Sequence, residues 1–319
     1  METVLITGGT GMIGKALTEA LIERGFNVII LTRHINNKQK TKNEKLTYAV
    51  WDVGMQTLDK NAFAKADYII HLAGASVAEK RWNTKRKQEI VSSRVDSGKL
   101  IVGSLKTSSN KIKTVISASG VGWYRPDPPS PPGEGRGVRL EGDPSSNDFL
   151  GQTCKQWEAA IEPVSFLGRR LVKFRIGVVL SNEGGAYPEF KKPLKFGLAT
   201  ILGNGKQIVS WIHIDDLVRA ILFAMENERM EGVYNAVAPH PVSNRELMLE
   251  IARNERGRSY VPVHVPAFAL KIRLGEMSVE VLKSATVSAD KIQQAGFIFQ
   301  YPDLGSAILQ LSHQKNLPV

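Results

Sequence analysis

"TVLITGGTGMIGKALTEALIERGFNVIILTR", residues 3–33, decides the fold. An unbroken apolar run enters a glycine-rich turn; Met12, Ile13, Ala16, Leu17, Ala20 and Leu21 then recur at helical spacing up to Gly25, and a second apolar run follows. Strand, turn, helix and strand make a βαβ unit, and a helical crossover makes its two strands parallel. The turn, TGGTGMIG, has glycines at 8, 11 and 14. Gly8 permits the tight turn, Gly11 lets the backbone approach a pyrophosphate, and Gly14 lets the helix pack close to the sheet. Amide N–H groups at the helix start then face an anion. Thr10, Met12 and Ile13 share this loop and join the expected cofactor contacts.

Working outward, the same alternation continues. LTYAVWDV (46–53), ADYIIHLAG (66–74), KTVISASG (113–120) and RLVKFRIGVVL (170–180) each read as a strand, as does GVYNAVA (232–238). SNRELMLEIARNE (243–255) reads as a helix, and residues 276–311 read as short helices around one strand. Residues 125–146 are rich in Pro and Gly, and the sheet pattern resumes after them, so they form an inserted loop. The expected fold class is α/β, a Rossmann-type doubly wound parallel sheet with a smaller C-terminal α+β substrate lobe. Residues 1–180 with 212–236 would form the cofactor-binding domain, and residues 181–211 with 237–319 the lobe.

The 319 residues are 42% apolar and carry a formal charge of +11. One cysteine excludes a disulfide framework, and a strand pattern that starts at the third residue leaves no room for a cleaved leader, so the expected compartment is the cytoplasm. No apolar run approaches the ~20 residues that span a bilayer, which argues against membrane insertion. The basic runs NNKQKTKNEK (36–45) and EKRWNTKRKQ (79–88) lack an interleaved set of stacking aromatics. A solvated basic face is therefore preferred over a nucleic-acid or polyanion site. HIDD (213–216) has metal-binding residue types, but a helix begins right after it, so Asp215 reads as a cap and no metal is expected.

The end of the second strand bears on the cofactor. Asp or Glu there would hold a ribose 2′-hydroxyl; this chain has Thr32 and Arg33. With no carboxylate to repel it and a guanidinium to bind it, a 2′-phosphate is the better guest, so NADP(H) is expected over NAD(H). Asp52, after the third strand, is placed to meet the adenine, and Leu72, Ala73 and Gly74 supply small residues where the cofactor passes.

TGGTGMIG, HLAGA (71–75), SASGVGWY (117–124), FRIGVVL (174–180) and WIHIDDLVRAI (211–221) occur in this order and spacing. Together they resemble the extended short-chain dehydrogenase/reductases, the NAD(P)-dependent epimerase/dehydratase superfamily. KRWNTKRKQEIVSSRVDS (80–97), LGNGKQIVSWIHIDDLVRAI (202–221), GEMSVEVLKS (275–284) and ADKIQQAGFIFQYPDL (289–304) resemble its atypical branch. Members of that branch are labelled epimerase-family or putative cell-division-inhibitor proteins. The likeness spans essentially the whole chain, and about 265–311 is the branch-typical segment.

The resemblance implies a pyrophosphate loop at Gly8, Gly11 and Gly14. It implies that Ser119 hydrogen-bonds a substrate carbonyl or hydroxyl, and it puts Arg94 where many extended members keep asparagine. Such members also carry Tyr-x-x-x-Lys followed four residues later by Glu. Anchoring on Glu158 puts Leu150 at the tyrosine and Cys154 at the lysine. Neither can move a hydroxyl proton. The substitute acids within reach are Tyr124, Glu141 and Asp148; each also has a plainer reading, as a pocket wall or core aromatic, an exposed loop charge and a helix N-cap respectively. Cys154 reads as buried and inert. The Tyr187–Lys191 match to Tyr-x-x-x-Lys follows the FRIGVVL strand, which places it in the lobe. The expected function is an NADP(H)-binding, epimerase-like oxidoreductase or isomerase on a small polar substrate, with a homodimer left open. The alternatives are an NADP(H)-binding regulator with little turnover and a basic polyanion-binding protein.

Overall fold

The structure, a computed structural model, describes residues 1–35, 43–128 and 137–313. Most of the basic run 36–45 and the middle of the Pro-rich loop thus lie outside the described residues. The first half runs β1 (Thr3–Thr7), α1 (Met12–Glu23), β2 (Asn27–Thr32), β3 (Leu46–Asp52), β4 (Thr57–Leu58), α2 (Lys60–Lys65), β5 (Tyr68–His71), α3 (Thr84–Thr107) and β6 (Thr114–Gly120). Next come α4 (Phe149–Ile161), α5 (Pro163–Phe166), β7 (Arg170–Ile176), β8 (Val178–Leu180), α6 (Ala186–Lys191), β9 (Leu198–Leu202), β10 (Ile208–Val209), β11 (Trp211–His213) and α7 (Ile214–Glu226). The chain ends with β12 (Gly232–Ala236), β13 (Val242–Ser243), α8 (Asn244–Arg256), β14 (Val261–Val265), α9 (Ala267–Leu274), α10 (Ser278–Leu282), α11 (Asp290–Gln294) and α12 (Leu304–His313).

The main sheet has the order β12-β7-β6-β5-β1-β2-β3-β4. Its strands are parallel except β4, which runs antiparallel to β3. Side chains alternate between faces. Val4 and Ile6 pack with Leu17 and Leu21 of α1 and with Leu217 and Ile221 of α7. Leu5 faces the other way, onto Phe63 of α2 and Leu100 and Ile101 of α3. This two-faced burial is why the strands read as continuous apolar runs. A third core joins Leu180, Tyr187, Trp211, Leu247, Ile251 and Ile308, beside the short sheets β8–β11, β10–β13 and β9–β14.

Three sequence expectations are corrected. RLVKFRIGVVL is two strands, because the chain leaves the main sheet at Gly177; a Cβ there would lie 2.6 Å from the Ser210 carbonyl oxygen, and β8 then pairs with β11. Among the described residues no strand forms within 276–311. The N–H groups of Gln300 and Tyr301 go to the Asp216 carboxylate instead of a neighbouring strand, and only an isolated bridge from Val287 to Arg139 remains. The cap of α7 is His213 rather than Asp215: its ring accepts from the Asp215 N–H at 3.1 Å. The other ring nitrogen contacts Gln310 at 3.0 Å, and Asp216 pairs with Arg219, so HIDD is spent on structure. No helix among the described residues is long and apolar enough to cross a membrane.

Candidate functional site

The parallel strands β1, β2, β5 and β6 end along one edge, and the loops that follow them line the site. Gly8 adopts φ +72°, and a Cβ on it would meet the Leu72 carbonyl at 2.8 Å, so the turn after β1 lies directly on the turn after β5. Gly14 is closer still, since its Cβ would fall 2.5 Å from the Gly8 oxygen. Gly11 is different. It has an ordinary φ of −78°, and its Cβ would meet only the Gly8 oxygen, at 3.3 Å. Gly11 is therefore crowded by a single backbone atom, where Gly8 and Gly14 each meet several.

Helix α1 begins there without a side-chain cap and without an acidic residue in its first turn. By contrast α2, α4, α7 and α8 are capped by Asp59, Asp148, His213 and Ser243. An uncapped helix start presents N–H donors and the positive end of the helix dipole to an anion. Thr32 ends β2 and bonds the His34 carbonyl, and the exposed Arg33 follows. Asp52 ends β3 and accepts from the Met55 N–H. Leu72 and Ala73 donate their N–H groups to the Thr7 carbonyl and hydroxyl, which fixes the loop after β5. Arg94 lies behind Gly74, donates to the carbonyls of Ala75 and Ile90, and stacks 4.9 Å above the Trp157 ring. His71 sits below, in contact with Thr7 at 2.8 Å; burial and then Arg94 lower its pKa to about 3, so the ring is neutral.

At the other end of the site Leu150 and Cys154 occupy the positions where a tyrosine and a lysine were sought. Leu150 packs against Gly122, where an added Cβ would approach it to 3.0 Å. The Cys154 thiol faces the Gly120 carbonyl, and burial, with Glu158 nearby, pushes its pKa up to about 11. It is inert at neutral pH.

Ser119 donates to Glu158 at 2.7 Å. Arg175 binds both oxygens of that carboxylate, at 2.8 and 3.0 Å, and its third nitrogen donates to the Tyr124 hydroxyl at 3.1 Å. The Tyr124 hydroxyl donates to the Asn235 side-chain oxygen at 2.5 Å, and the Asn235 backbone N–H donates to the Glu141 carboxylate at 2.9 Å. These contacts give two of the expected acids, Tyr124 and Glu141, partners within the fold. Tyr124 is fully buried and its pKa is raised, chiefly by burial, to about 12. Glu141 closes the backbone of β12. Asp148 is the N-cap of α4, accepting from Gly151. Tyr187 lies in the third core. Sequence reading missed Arg175; the signal was a guanidinium set between Phe174 and Ile176 in the interior of a strand. It also missed Lys283, whose ammonium donates to Asp148 at 2.7 Å and to the Gly122 carbonyl at 3.4 Å, and which lies 3.5 Å from Glu280.

A parallel sheet of this order, with a glycine turn leading into an uncapped helix, defines a Rossmann-type nucleotide fold of the extended short-chain dehydrogenase/reductase kind. The chain belongs to the NAD dependent epimerase/dehydratase family, which matches residues 4–146 and 186–236; residues 265–311 match the domain of unknown function DUF1731. The epimerase family protein SSP1921 of Staphylococcus saprophyticus is 38% identical over 315 residues, 98% of this chain and 100% of that protein. Human epimerase family protein SDR39U1 (isoform 2), solved with NADPH, superposes with a TM-score of 0.85 at 27% identity, over 99% of this chain and 100% of that one. The nucleoside-diphosphate sugar epimerase of Corynebacterium glutamicum gives 0.74 at 31% identity, over 98% of this chain and 58% of that one.

Proposed function

We propose that this protein binds NADP(H) and acts as an epimerase-like oxidoreductase or isomerase on a small polar substrate. The observation that carries the reading is the uncapped start of α1 at the glycine turn of Gly8, Gly11 and Gly14. The backbone of Gly8, Thr10, Gly11, Met12, Ile13 and Gly14 would hold the pyrophosphate, Thr32 and Arg33 the 2′-phosphate, and Asp52 the adenine side. Leu72, Ala73 and Gly74 would line the passage to the nicotinamide, with Arg94 bracing them. Bound NADP(H) would supply or take up hydride. Ser119 would hydrogen-bond the substrate through its lone pairs, since its proton is directed at Glu158. Residues 1–180 with 212–236 would carry the cofactor, and 181–211 with 237–319 the substrate. The human relative solved with NADPH supports the choice of cofactor.

Nucleotide titration tests this. A charge-assisted contact contributes about 1.5 to 3 kcal/mol, so NADPH should bind about ten- to a hundredfold more tightly than NADH, and Arg33→Ala should erase the preference. Equal wild-type affinities would remove the NADP(H) assignment. Gly11→Val, whose Cβ presses only on the Gly8 carbonyl oxygen, should fold at some cost in stability, yet lose the ~2.7 kcal/mol that NADPH at ~100 times its Kd adds to unfolding stability. A second reading, an NADP(H)-binding regulator, is favoured by Leu150 and Cys154; carbonyl-dependent NADPH oxidation separates the two.

A further inference from the structure

Residues 190–214 hold four lysines, residues 256–275 hold three arginines and one lysine, and neither stretch contains an Asp or Glu. The fold lays the two side by side. Strands β9 and β14 pair in parallel, with Leu198 opposite Val261 and Thr200 opposite Val263. Where they begin, the Arg256 guanidinium donates to the carbonyls of Leu194 and Lys195 at 2.7 and 2.5 Å. The Val261 N–H donates to the Gly197 carbonyl at 2.8 Å. Ala199 and Ile201 are fully buried, so the alternate residues Leu198, Val261 and Val263 face outward. Val261 is 61% exposed, and Phe196, two residues before Leu198, is 83% exposed. Lys195, Arg256 and Arg258 beside them are exposed as well. At the start of β14 a cavity of about 680 Å³ is lined by Arg253, Gly257, Arg258, Tyr260 and Pro262.

Clustered apolar side chains left in water within a polar rim mark a docking surface. A second copy does not suit it, because a two-fold contact would set this cationic rim against itself. Nor does an added strand. The bonds from the Val261 N–H to Gly197 and from the Gly203 N–H to Val265 turn residues 261 and 265 toward β9. Pro262 then faces the open edge, where it has no N–H to offer. The matching surface is anionic outside, apolar a few ångströms in, and yielding enough to take projecting side chains such as Phe196 and Val261.

We propose that this face docks the protein on an anionic phospholipid bilayer. Phe196, Leu198 and Val261 enter the boundary between headgroups and acyl chains, while Lys195 and Arg256 lie among the headgroups. A lipid phosphate enters the cavity beside Arg258, since Arg253 is already paired with Glu250. The contact is peripheral, because no helix among the described residues is long and apolar enough to cross a membrane. It uses a different part of the molecule from the glycine turn and stands apart from the cofactor reading.

The test sediments the full chain with sucrose-loaded vesicles, made of phosphatidylcholine alone or of equal parts phosphatidylcholine and phosphatidylglycerol. Only the anionic vesicles should carry the protein down, and less of it as salt is raised. Phe196→Ser should weaken that partition about tenfold, and Arg258→Gln about fivefold. Both side chains are exposed, so the variants should melt with the wild type. Phe166→Ser, which removes an equally exposed ring from α5, should bind as wild type does. Wild-type protein that stays in the supernatant with anionic vesicles overturns the proposal. So does Phe196→Ser binding within about twofold of wild type, which would leave only a general attraction between charges. Polyglutamate or duplex DNA bound as tightly as the vesicles, with the same loss in Phe196→Ser, would overturn it in favour of an acidic protein or a nucleic acid.

Discussion

Two buried cations meet helix α4 near its opposite ends, and they are held in opposite ways. Arg175 is 2% exposed; its planar fork is filled by both oxygens of Glu158, the Tyr124 hydroxyl and the Glu141 carbonyl, and it stacks 3.6 Å from the Trp123 ring. Lys283 is a point charge shared by two carboxylates with unequal company. A guanidinium that is always charged and bound in bidentate fashion makes a fixed strut. An ammonium between two carboxylates, one of them poorly solvated, leaves a proton that can move. Burial of charge is thus structural where every donor has its acceptor, and chemically open where one group is under-supplied.

The largest expected effect breaks the strut. Glu158→Ala leaves the Arg175 guanidinium buried and unmatched and should cost about 3 to 5 kcal/mol by urea unfolding. A loss below ~1 kcal/mol would place Arg175 with the exposed pairs.

Next comes the pH dependence. Glu280 is raised from 4.5 to about 7 in the folded state, so between those values the native protein binds more protons than the unfolded chain. Its contribution is fully present below pH 4.5 and is lost as pH rises through 7. The loss should be on the order of 2 to 3 kcal/mol. Stability measured against pH should show that fall in wild type relative to Glu280→Gln. Parallel curves would mean that Glu280 is solvated and that the contrast with Glu158 is empty.

Asp148→Ala should cost at least the ~1 kcal/mol of a lost N-cap, and more because it also removes a carboxylate from the buried Lys283 ammonium. It should also shift the Glu280 midpoint downward, by removing a like charge; an unmoved midpoint would show that the two carboxylates do not sense each other. The smallest effect is the control. Arg24 and Glu226 tie α1 to α7 at the surface, with side chains 43% and 59% exposed, so Glu226→Ala should cost less than ~1 kcal/mol and less again in high salt.

The glycine turn after β1 was legible beforehand because most of its physics is local. Gly14 answers to Gly8 and Gly9 within its own turn, and Thr32 and Arg33 follow one strand later, whereas the crowding of Gly8 by Leu72 comes from the turn after β5. At the other end the sequence left Tyr124, Glu141 and Asp148 open between an acid and a plainer structural role, because their partners are remote. Tyr124 meets Asn235 across 111 residues and Lys283 meets Asp148 across 135, and no periodicity carries such pairs. The strand expected within 276–311 failed for the same reason, its N–H groups being taken by Asp216 some 84 residues earlier.

The sequence by itself determined the alternation of strands and helices, the glycine turn and the absence of a Tyr–Lys pair on α4, since hydrophobic period and backbone conformation are properties of neighbouring residues. Only the tertiary structure decided which charges are buried together. Desolvation and Coulomb interaction depend on distance through the folded protein rather than along the chain, so the bidentate Arg175–Glu158 pair and the burial that raises Glu280 exist only in the folded protein.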